Sequence, residues 1–82
     1  MKMNTPIEAD LKVDASGLKC PMPVIRAKKG IMGVEIGQIV EILSTDPGSM
    51  ADFKAWSKST GHELLLAEQE GEVFRFMIRR TK

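Results

Sequence analysis

Two prolines flank Met22 in the run Gly17-Leu18-Lys19-Cys20-Pro21-Met22-Pro23. Each fixes its own backbone φ and removes an amide donor. Both are tolerated in the first turn of a helix, where amides lack intrahelical partners. Ahead of them, Leu11 and Val13 alternate with Lys12 and Asp14, a short strand of period two. Ala15-Ser16-Gly17 then turns the chain. After the prolines, Val24, Ala27 and Ile31 recur at helical spacing. The prolines therefore mark a strand-to-helix junction, and the chain's only cysteine, Cys20, sits on it.

The rest of the pattern extends this beginning. The first helix is predicted from Pro23 to Met32, with Gly33 as its terminator and Gly30 weakening it from within. Ile39, Val40, Ile42 and Leu43 predict a central strand over Gln38 to Ser44. Asp46 is expected to cap a second helix, with Pro47 at its first position and Ser49 supporting the same end. Met50, Phe53 and Trp56, spaced by three, give that helix one apolar stripe, and Gly61 fits the left-handed residue past its end. Leu64, Leu65 and Leu66 place a strand over Glu63 to Glu68, and Glu70-Gly71-Glu72 a turn. Val73, Phe74, Phe76 and Ile78, interleaved with Arg75, Met77 and Arg79, make the last strand. The two final strands form an antiparallel hairpin. The first two, joined by a helix, imply a parallel pair with a right-handed crossover. The expected fold is α/β: a two-layer sandwich of order βαβαββ, its mixed four-stranded sheet covered on one face by two helices. Residues 1–9 read as a flexible arm, with Asn4-Thr5-Pro6 as a breaker, and residues 10–82 as one domain.

Composition excludes several functions. A formal net charge of +1 does not fit a general nucleic-acid binder. One cysteine and one histidine, His62, make neither a disulfide scaffold nor a thiolate- or histidine-rich metal site. The apolar runs are too short to span a membrane, and the N-terminus lacks the apolar core of a signal peptide. A reducing cytoplasmic setting is expected, and no metal or cofactor is.

Cys20 is the residue with chemistry. A thiol at a helix start can gain thiolate character from the dipole and free amides. That interaction, about 0.3–1 kcal/mol at a surface, lowers the pKa by less than about one unit. Lys19, Arg26, Lys28 and Lys29 lie close in sequence and can raise the local potential. Pro21 and Pro23 stiffen this end of the chain. With no histidine nearby as a base and no oxyanion-hole motif, the site suits taking and giving a soft group by exchange.

The run Leu18-Lys19-Cys20-Pro21-Met22-Pro23 resembles the Cys-Pro-x-Pro signature of the TusA (SirA-like) family of small sulfur carriers. The likeness extends through Val13-Asp14-Ala15-Ser16-Gly17, the basic helix, Asp46-Pro47-Gly48-Ser49, Thr60-Gly61-His62-Glu63-Leu64 and Phe74-Arg75-Phe76. It implies the βαβαββ fold and a persulfide held on Cys20, with Lys19, Pro21 and Pro23 as its supporting motif. It also implies a donor protein, a cysteine desulfurase or a rhodanese-like protein. An acceptor protein would take the sulfur towards tRNA thiolation, cofactor biosynthesis or sulfur-compound oxidation. The outer sulfur of a persulfide moves by attack of a partner thiolate, much as in disulfide exchange. A carrier so built needs an exposed sulfur and a docking surface, which Arg26, Lys28 and Lys29 are expected to supply.

Other readings compete. A non-catalytic RNA- or protein-binding module of the same fold would leave Cys20 incidental. Arg75, Arg79, Arg80 and Lys82 favour it, while the missing aromatic platform and near-neutral balance oppose it, so direct nucleic-acid contact is not expected. A thiol peroxidase or redox sensor would need an outside thiol to resolve it. Asp46-Pro47-Gly48-Ser49 could hold an anion, but its residues fit simple capping and Asp46 would oppose the charge. His62 reads as a helix-end or strand-start residue.

Overall fold

The computed structural model describes residues 8–82, so most of the expected N-terminal arm lies outside the described residues. The elements run β1 (Leu11–Ala15), α1 (Met22–Met32), β2 (Ile39–Ser44), α2 (Ser49–Thr60), β3 (Glu63–Glu70) and β4 (Val73–Arg79). They form one four-stranded sheet in the order β1-β2-β4-β3. β1 runs parallel to β2, and β4 runs antiparallel to both β2 and β3. The hairpin's second strand therefore fills the sheet centre, and its first strand becomes an edge.

Period two along the strands decides which residues enter the core. Val40, Ile42 and Ser44 of β2 are buried, as are Phe74, Phe76 and Ile78 of β4. In register, Val40 faces Ile78 and Ile42 faces Phe76, so these side chains share one face of the sheet. Both helices cover that face. Phe53 of α2 stacks on Phe76 with ring centroids 4.3 Å apart, and Trp56 meets the Phe53 edge at 6.2 Å. Pro23, Ala27, Gly30 and Ile31 make the buried side of α1. Gly30 lets the helix sit close on the sheet: a Cβ at this position would stand 3.2 Å from both Val13 Cγ2 and Val40 Cγ1, which would have to give way by a few tenths of an ångström. The architecture is the expected two-layer α/β sandwich.

The opposite face of the sheet is charged but not wholly exposed. Arg75 reaches Glu41 at 3.2 Å and Glu68 at 3.0 Å, and Arg79 pairs with Glu63. Met77 belongs to this face by register, opposite Glu41 and Leu66, and is only 2% exposed.

Several boundaries moved, each for a local reason. α1 begins at Met22 with Pro21 as its N-cap, one residue ahead of the expected start. Gly33 ends that helix in right-handed rather than left-handed geometry, its N–H donating to the Gly30 carbonyl at 3.0 Å while the Val34 N–H donates to that of Ile31 at 3.3 Å. Asp46 does not cap α2. The N-cap is Gly48, without a side-chain cap, and the Asp46 carboxylate accepts instead from the Gly48 amide at 3.2 Å. Ser49 turns inward, its hydroxyl 2.6 Å from that of Ser44 in the core. Gly61 does take the left-handed conformation, at φ 87°. β3 is longer than predicted and carries an irregularity between Leu64 and Leu66.

Candidate functional site

The loop from β1 to α1 is tied down on both sides of Cys20. Gly17 donates its N–H to Thr45 Oγ1 at 2.8 Å, and Leu18 donates to the Ala15 carbonyl at 3.2 Å. Met22 N–H closes onto the Lys19 carbonyl at 2.8 Å. The Pro21 carbonyl then accepts the first bonds of α1, from Val24 at 3.1 Å and Ile25 at 3.2 Å. Cys20 and Pro21, joined by a cis peptide, stand at the crest of this turn, exposed. Lys19 is exposed beside them, whereas Pro23 is buried as an anchor of the helix.

The Cys20 sulfur is bonded across to the second helix. It leans on the start of α2. Cys20 Sγ donates a hydrogen bond to Asp52 Oδ2. Asp52 sits in the first turn of α2, where its N–H is bonded to the Gly48 carbonyl at 3.1 Å and the helix start favours a negative charge. Gly48 keeps the approach open: a Cβ there would lie 3.7 Å from Cys20 Cβ and 3.0 Å from Asp46 Oδ2.

This environment reverses the expected direction of the thiol's acidity. The bond to Asp52 pushes the Cys20 thiol above its ordinary pKa, and desolvation and the charges of Asp52 and Asp46 push the same way. The basic residues near it in sequence do not offset this, because their side chains project to solvent and two carboxylates face the sulfur. At rest Cys20 is a protonated, accessible thiol. Sequence reasoning missed Asp52, because 32 residues separate it from Cys20 and only the packing of α1 beside α2 brings them together.

Arg26, Lys28 and Lys29 are all exposed on α1. They share that surface with apolar side chains the sequence reading did not single out: Met22 is 38% exposed, Ile25 42% and Met32 69%. Residues 22, 25, 26, 29 and 32 recur three and four apart and so fall on one face. The signal was present in the spacing: once Pro23, Ala27, Gly30 and Ile31 are taken for the core, these residues are left outside. No helix among the described residues is long and apolar enough to cross a membrane.

The site is thus an exposed single thiol at a proline-stiffened strand-to-helix turn, carried on a two-layer βαβαββ sandwich. A family profile described as Sulfurtransferase TusA matches residues 11–80. The sulfur carrier protein TusA of Allochromatium vinosum is 46% identical over 72 residues, spanning 88% of this chain and 95% of that protein. The putative sulfur carrier protein YrkI of Bacillus subtilis is 46% identical over 74 residues, spanning 90% of this chain and 99% of that one. A crystal structure of a SirA-like protein from Desulfitobacterium hafniense superposes with a TM-score of 0.74 at 29% identity, over 88% of this chain and 99% of that one. The chain belongs to the TusA sulfurtransferase family.

Proposed function

We propose that this chain is a sulfur carrier that holds sulfane sulfur as a persulfide on Cys20 and relays it between two proteins. The observation that carries the reading is the exposure of Cys20 at the signature turn, where a large partner can reach the sulfur. Loading is an exchange: Cys20 attacks the outer sulfur of the donor's persulfide, the donor's S–S bond breaks, and one sulfur moves to Cys20. The proton lost by the Cys20 thiol ends on the donor's sulfur, so no outside oxidant or reductant is needed. Discharge repeats the step with the acceptor's thiolate as the nucleophile.

The donor chemistry is that of a cysteine desulfurase or a rhodanese-like protein. The acceptor serves tRNA thiolation, cofactor biosynthesis or sulfur-compound oxidation. The basic and apolar face of α1 begins beside Cys20 and is the docking surface, with Arg26, Lys28 and Lys29 steering and Met22 and Ile25 packing. A reducing cytoplasm keeps the lone thiol free.

The test uses cysteine carrying radiolabelled sulfur and a cysteine desulfurase. Label should appear on the chain, survive separation without reductant, and be released by reductant or by cyanide, which takes sulfane sulfur as thiocyanate. Cys20→Ser should take none. Equal labelling of the serine variant contradicts the proposal.

A further inference from the structure

The contact between Cys20 and Asp52 joins two elements that the carrier chemistry alone does not require to meet. We infer that Asp52 is a positioning residue of the relay: its carboxylate holds the empty carrier's sulfur as a hydrogen-bond donor and turns away the negatively charged terminal sulfur of the loaded carrier. The inference rests on the persulfide reading of Cys20.

The geometry makes the carboxylate a fixed feature. Asp52 is anchored by its backbone to Gly48, and the Cys20 turn is anchored to β1 and to Thr45. The charged groups around the sulfur come from three places. Asp52 lies on α2 and Asp46 on the loop before it. Lys19 precedes the cysteine and Arg26 follows on α1, both exposed. The acids are the groups that act on the sulfur, and both favour its protonated form.

Loading inverts the demand. A thiol offers Asp52 a proton. A persulfide's terminal S–H is a stronger acid than the parent thiol, because the neighbouring sulfur helps to spread the charge, so the loaded group is an anion. An anion cannot donate to a carboxylate and is repelled by it. The loaded sulfur therefore swings out towards a partner, and the empty one folds back. An empty carrier is thereby kept slow towards stray electrophiles, while a loaded one is presented.

The experiment is the pH profile of Cys20 alkylation by iodoacetamide in the folded protein, compared with Asp52→Asn. Lowering the thiol midpoint raises the thiolate fraction at neutral pH more than it lowers the intrinsic nucleophilicity of the thiolate. The empty variant should therefore react about threefold faster near pH 7 and about threefold slower on the alkaline plateau, so the two profiles cross. A merely structural role for Asp52 produces no crossing. Asp52→Ser is the second probe if the asparagine variant does not fold, with circular dichroism confirming the fold. After loading by a cysteine desulfurase, the substitution should not speed alkylation near pH 7, so the loaded-to-empty rate ratio falls about threefold. Coincident profiles for folded Asp52 variants overturn the inference, as does an equal acceleration of the loaded form. If neither protein gains sulfur, the carrier reading fails, and with it the repulsion of the loaded sulfur, while the crossing still reports whether Asp52 holds the thiol.

Discussion

On the proposal that Cys20 carries sulfur, that sulfur meets different electrostatic demands on arrival, while held and on leaving, and the contact with Asp52 suits the unloaded thiol. Exposure gives the first residue-scale prediction. Native labelling of Cys20 with a thiol reagent should run to completion without denaturant, at a rate within about tenfold of a short peptide, the deficit reflecting its raised pKa. Protection by orders of magnitude that denaturant relieves would mean a shielded cysteine. His62 gives the second. Burial and the charges of Arg80 and Lys82 hold its pKa below the ordinary value. Its Nδ1 accepts the Thr81 N–H at 3.1 Å, a bond that needs the lone pair. The unfolded chain therefore binds more protons than the folded one below about pH 6.5. The contribution is whole above that pH and is lost as pH falls through the folded pKa. Thermal midpoints from pH 7.5 to 5 should fall more steeply for the native chain than for His62→Asn, and parallel slopes would refute this. Cys20 and its two prolines were legible because they are adjacent in sequence. Asp52 was not, because a contact across 32 residues leaves no local signature.

Elements were legible where periodicity and punctuation agree. The strand alternation and the Gly61 stop follow from side-chain geometry that any chain must obey. The start of α2 was misread because Asp, Pro and Ser all favour a helix start, and sequence alone does not say which of them turns inward. Burial settled it: Ser44 is fully buried and Ser49 only 1% exposed, and their hydroxyls bond to each other, with Ser44 also accepting from the Asp46 N–H. Ser49→Ala should cost about 1 kcal/mol, because the buried Ser44 hydroxyl then keeps only the Asp46 N–H as a partner. Adding Ser44→Ala should cost less than the sum of the single changes, as measured by urea unfolding. Strict additivity would show that the hydroxyls do not interact. The stack of Phe53 on Phe76 pins α2 to the sheet. Phe53→Ala should remove about 3–5 kcal/mol, a large fraction of what so small a domain has. A loss under about 1 kcal/mol would mean that α2 is held by something else.

At the scale of the molecule, the two helices place a sulfur, a pair of carboxylates and a basic, partly apolar face at adjoining positions on one layer. The sheet's other face carries its own ion pairs around Arg75. On the proposed reading, docking belongs to the helix side, where Arg26 and Lys29 lie exposed beside Cys20. Arg26→Glu with Lys29→Glu should leave the thermal midpoint nearly unchanged and slow sulfur transfer from a matched donor about tenfold or more at low salt, with the deficit shrinking at high salt. An unmodified rate from the folded double variant would make this face a solvated surface only. The central claim, that the molecule carries one sulfur on one residue, is tested most directly by intact mass. After incubation with a cysteine desulfurase and cysteine, or with thiosulfate and a rhodanese, the chain should gain the mass of a single sulfur atom. Reductant should remove it, and Cys20→Ser should not gain it. No adduct from either donor, or an adduct that persists in the serine variant, would contradict the account.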